Sequence, residues 1–137
     1  MINRAWCLAT CVAAAMLFAG CKSDTSVVAG DYDDVARYPN VTLSQPSLRD
    51  ALGFQEPIVT RNDNNLMQVT VPVRARSNDE LHVEYRVVWM DANLQPLRPE
   101  MSWTPLRMEP RQPHNITVQA TSPAAAKYNL QFRWSRP

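Results

Sequence analysis

The sequence predicts an all-β protein, an antiparallel immunoglobulin-like β-sandwich of about six to seven strands. Three observations carry that reading. Apolar residues recur at every second position in Val69, Val71, Val73 and Ala75, in Leu81, Val83, Tyr85, Val87 and Trp89, and in Tyr128, Leu130, Phe132 and Trp134. That is the period of a strand with one buried face. Three glycines and eleven prolines punctuate the 137 residues, and no amphipathic helix of useful length appears. Strands with a single apolar face need a second sheet to cover them, which makes a sandwich the economical architecture.

The amino end reads as an export signal. Met1 to Arg4 is short and carries one positive charge, and residues 5–19 are uncharged and rich in alanine. Fifteen helical residues reach about 22 Å, short of the roughly 30 Å of hydrocarbon that a spanning helix must cross. Leu17-Phe18-Ala19-Gly20-Cys21 then reads as a lipobox. Residues 1–20 are the lipoprotein signal peptide, and Cys21 becomes the first mature residue, its thiol carrying diacylglycerol with palmitate-type chains. An uncleaved anchor, or ordinary cleavage that leaves Cys21 a plain thiol, are the alternatives. Cys7 and Cys11 leave with the signal, so the mature chain of 117 residues has no pair of thiols for a disulfide. It holds 13 basic and 13 acidic residues. That balance offers no electrostatic footprint for nucleic acid. Residues 21–39, polar and weakly periodic, read as a lipidated tether, with residues 40–137 as the domain.

Each element follows from local pattern. Val41 and Leu43 alternate with Thr42 and Ser44. Residues 46–52 fit one helical turn, capped by Ser47 and stopped by Gly53. Pro57 to Thr60 is a short strand, and Asn62-Asp63-Asn64-Asn65 a turn. The run 69–75 is the clearest strand; Pro72 cannot donate to a ladder, which predicts an edge or a bulge there. Ser77-Asn78-Asp79-Glu80 turns the chain into the run 81–90, so the two runs read as a hairpin. Residues 97–108 are broken by Pro99 and Pro105 and read as irregular or edge-like. Residues 116–120 and 128–134 supply the last two strands.

Two resemblances add to this. Ala126 to Leu130 resembles the stretch around a tyrosine corner of immunoglobulin-type domains. The stretch Leu81-His82-Val83-Glu84-Tyr85-Arg86-Val87-Val88-Trp89-Met90-Asp91-Ala92-Asn93 resembles the YRFxWFDAxG core of the YcfL-like periplasmic lipoprotein family, a domain of unknown function. Trp103 and the Ala120-Thr121-Ser122-Pro123 turn fit the order of that family over residues 40–134. The resemblance implies a membrane-anchored sandwich facing the periplasm of a Gram-negative bacterium, with no established activity. Because members are often encoded beside lipoprotein activators of penicillin-binding proteins, it also implies a cell-wall synthesis context. In enterobacterial lipoproteins an aspartate after the lipidated cysteine retains the protein in the inner membrane, so Lys22 implies the outer membrane.

No residue set points to an enzyme. His82 and His114 lack partners at ligand spacing, no glycine-rich phosphate loop exists, and no cofactor or metal is expected. Asp31, Asp33 and Asp34 have no distal Glu to complete a calcium loop and read as solvated. Trp103, between Ser102 and Thr104, is either an exposed anchor for a partner or a plug over the sandwich end. Arg74, Arg76, Arg86 and Arg133 all take outward phases and would form one basic face if their strands were neighbours. The expected function is therefore a lipid-anchored, non-enzymatic binding or scaffold module. It would be held in the membrane through Cys21 and dock another envelope protein through a sheet edge or the Trp103 region. The alternative is capture of a small ligand or peptidoglycan fragment in a cleft between the sheets.

Overall fold

The structure, a computed structural model, describes residues 31–137. The signal peptide, Cys21 and Lys22 lie outside the described residues. The elements in chain order are β1 (Val41–Leu43), α1 (Ser47–Ala51), β2 (Leu52–Phe54), β3 (Ile58–Arg61), β4 (Met67–Ala75), β5 (Leu81–Met90), β6 (Thr104–Met108), β7 (Pro113–Gln119) and β8 (Lys127–Trp134). They form two sheets. One has the order β1-β8-β5-β6; in the other, β4 pairs with β2, β3 and β7. The β-sandwich is thus confirmed, and all pairings are antiparallel except β1 with β8.

Alternation places the core. Val69, Val71, Val73 and Ala75 of β4 are buried, and so are Val83, Val87 and Trp89 of β5 and Tyr128, Leu130 and Phe132 of β8. Phe132 packs against Phe54 of the opposite sheet at 5.5 Å between ring centroids, and against Tyr85 at 6.4 Å. Among the described residues every buried side chain is hydrophobic.

The hairpin expected of β4 and β5 does not form. β4 belongs to one sheet and β5 to the other, so residues 76–80 carry the chain across the sandwich. Two adjacent runs that both bury an odd-numbered face satisfy that burial equally well from opposite sheets. Pro72 also lies away from any edge. β7 covers β4 from Gln68 to Arg74 on one side, while β2 and β3 share the other. Pro72 falls in the break between β2, which reaches Val73, and β3, which begins at Thr70, so no ladder bond asks for its missing N–H. Its carbonyl accepts from the Gln55 amide at 3.1 Å.

The helical turn forms with different ends. Pro46 occupies the cap position, and the Ser47 hydroxyl accepts from the Trp134 indole N–H at 2.9 Å instead. The Leu52 amide closes on the Leu48 carbonyl, and Gly53 continues into β2. Gly53 is needed for space: a Cβ there would sit 2.8 Å from the Tyr32 Cβ. The segment 31–39, read as the last part of a tether, is packed. Asp33 and Phe54 exchange backbone bonds at 2.7 and 3.0 Å, a 3₁₀ turn spans Val35–Arg37, and Tyr38 is buried.

Two outcomes follow. Phe132→Ala, which empties the contact between the sheets, costs about 3–5 kcal/mol in guanidinium unfolding. Gly53→Ala displaces the segment carrying Tyr32 and costs about 1–3 kcal/mol, read in the same measurement.

Candidate functional site

The outward phases of β5, β6 and β8 share one face, and Trp103 folds onto it. Thr104 pairs with Tyr85, which brings the preceding Trp103 level with Arg86. The Arg86 guanidinium lies over the indole at 4.7 Å and that of Arg133 at 4.2 Å. Both arginines are held from the side. The Arg86 Nε donates to Gln131 Oε1 at 2.8 Å, and the Arg133 Nε donates to Glu84 Oε2 at 2.5 Å. These partners stand directly across the β5–β8 ladder, where cross-strand pairs meet closest. Trp103 is half-buried and lies on the face of the sheet, not over the end of the sandwich. A fixed indole backed by two immobilised cations is a surface that recognises by stacking and charge.

The four arginines do not make one basic face, because β4 and β5 belong to different sheets. Arg86 and Arg133 meet at Trp103, while Arg74 and Arg76 hold the segment 31–38 on the other side of the molecule. Arg74 lies over the Tyr32 ring at 4.6 Å, and the Arg76 guanidinium donates to the Tyr32 carbonyl at 3.0 Å. Asp34 accepts from the Ala36 amide and from Arg49 Nε, both at 2.7 Å. The Arg49 bond, with the backbone bond second, holds the Asp34 carboxyl below its usual range. Asp33 pairs with Arg37 at 2.8 Å. The Asp34 carboxylate fastens the segment to α1, whereas the Asp33 pair lies within the segment, which Asp33 joins to β2 through its backbone.

That segment walls a groove of about 1050 Å³ on the outer face of the β4 sheet, with Tyr32, Tyr38, Ile58, Thr70, Pro72 and Asn115 among its lining. The interior between the sheets is filled by apolar side chains. A smaller cavity of about 250 Å³, beside Val59 and Tyr128, opens along the β3 side. The cleft considered for a small ligand is therefore displaced to the exterior. Sequence reasoning missed Tyr32 and Gln131; their roles come from cross-chain register, which no local pattern encodes.

The histidines separate. His114 lies in β7 opposite Val73. His82 contacts Glu80 at 2.7 Å, and Glu80 also pairs with Arg107. Among the described residues no group of His, Cys, Asp and Glu side chains is placed to hold a metal. The Arg107 bond, more than His82, holds the Glu80 carboxyl below its usual range. This contribution to stability is present above the ordinary carboxylate value near about 4.3 and is lost as the pH falls through the lowered one. In Arg107→Met the Glu80 carboxyl titrates upward toward the ordinary value, read by carbon NMR of its carboxyl group.

Two solved structures share the fold. The crystal structure of Campylobacter jejuni cj0090 aligns with a TM-score of 0.59 at 20% identity, covering 70% of this chain and 98% of that one. A DUF1425 family member from Shewanella sp. pv-4 aligns with a TM-score of 0.58 at 16% identity, covering 68% and 86%. No curated protein matches. The family model described as a protein of unknown function (DUF1425) matches residues 40–134, which takes in β1 through β8 and Trp103. The chain belongs to the DUF1425 family.

Proposed function

We propose that this chain is a lipid-anchored lipoprotein of the YcfL-like kind. It would be held at the periplasmic face of the outer membrane through Cys21 and act there as a non-enzymatic binding or scaffold module for another envelope protein. The cell-wall synthesis context rests on the resemblance alone.

The observation that carries the binding role is Trp103 on its two guanidinia. Trp and Arg are the residue types that dominate interface hot spots. Here both arginines already have side-chain partners, so docking against the indole costs little further ordering. The signal segment and lipobox support the placement.

Two experiments test the reading. An alkyne palmitate analogue labels the wild-type protein in cells and fails to label Cys21→Ser; an unlabelled wild type removes the anchor from the proposal. A photo-crosslinking residue in place of Val88, on the same face of β5, gives a discrete adduct in the membrane fraction. Trp103→Ala abolishes the adduct while costing about 1 kcal/mol of stability or less. An absent adduct, or one that Trp103→Ala leaves unchanged, counts against the module.

A further inference from the structure

We propose that the outer edge of β3 is a docking strand that receives one extended segment of a partner protein as an added antiparallel strand. β2 and β3 run end to end along the same side of β4. The free edge of β2 is already taken, since Asp33 and Phe54 exchange backbone bonds there in the antiparallel sense. Among the described residues β3 pairs with β4 alone.

The alternation of the ladder identifies its unused groups. The Pro72 carbonyl faces the β2–β3 side, so Thr70 and Gln68, two and four residues away, face it too. They oppose Ile58 and Thr60. The N–H and C=O of Val59 and Arg61 therefore point outward. The Arg61 guanidinium is turned back onto the Ala125 and Asn65 carbonyls at 2.6 and 2.9 Å, so it does not screen the edge.

The side chains fit the same role. All four residues of β3 are exposed, and Ile58 at 59% and Val59 at 48% are two of the three exposed large hydrophobics among the described residues. Other edges are less inviting. β6 carries Pro105 and Arg107, β7 exposes His114, Asn115, Thr117 and Gln119, and β1 has three residues.

A cavity lies on each side of the β3 edge. Ile58 borders the outer groove, and Val59 borders the small cavity with Pro39, Pro57 and Tyr128. Side chains of an added strand alternate between those two sides. The partner segment is thus extended, with an aliphatic or aromatic residue at every second position to enter the small cavity. A second copy fits less well, because two four-residue edges cover far less than the roughly 1,200 Å² of a stable interface.

This inference deepens the binding-module reading and rests on it, yet it makes no use of Trp103. Its test is titration of the full mature chain in detergent with fluorescein-labelled hexapeptides in which threonine alternates with valine, leucine or phenylalanine. Anisotropy is expected to show saturable binding of at least one. Val59→Pro removes one outward donor and leaves the β3–β4 bonds intact. It is expected to weaken binding about tenfold or more at an unchanged melting temperature. Val59→Lys, which keeps the donor and places a charge at the small cavity, weakens it as well, whereas Asp79→Asn, in the exposed turn beyond the far end of β4, binds as wild type. The proposal is overturned if no peptide binds, if both Val59 variants bind normally, or if binding appears only after residues 22–29 are deleted, because the chain then fills its own edge.

Discussion

The contact of Phe132 with Phe54 across the sandwich is the constraint from which the rest follows. It joins the central strand of one sheet to the short β2 at the margin of the other. With both inner faces committed to that apolar layer, every polar side chain among the described residues is left to the two outer faces or to the edges. The Trp103 surface and the Tyr32 groove are therefore on opposite sides of one hydrophobic slab. They can be changed independently, because additivity holds for sites this separate.

Periodicity made much of the fold legible. The alternation in 69–75, 81–89 and 128–134 places β4, β5 and β8 and names their buried residues, although Tyr85 and Trp134 are only half-buried. Which strands become neighbours was not legible. The runs 69–75 and 81–89 have the same period and a short polar link, so a hairpin and a crossover between sheets read alike. The mistaken hairpin then propagated to the arginines, since their expected common face required β4 and β5 to be adjacent. Pro72 misled for a related reason. A proline marks a missing donor, and here the gap lies in the neighbouring strand and not at the margin of the sheet.

The candidate site was half legible. Trp103 and Arg86 stood out by type and phase, and they do meet. Their meeting depends on the register of β6 against β5, fixed by residues far from either. Gly53 shows the same limit. It looks like a helix stop, yet its lack of a side chain serves the close passage of Tyr32, a contact across 21 positions.

The parallel pairing of β1 with β8 has a mechanical meaning. The first and last strands of the domain lie side by side, with the Leu130 amide on the Asn40 carbonyl and the Ser44 amide on the Phe132 carbonyl. Tension applied at the amino end meets the Asp33–Phe54 bridge and the Arg49–Asp34 pair first, and then reaches β1. The bonds between β1 and β8 lie across the line of such a pull, so they share the load and yield together, not one after another. Pulled between its two ends, the domain therefore meets a shear contact that holds until its bonds fail as a group.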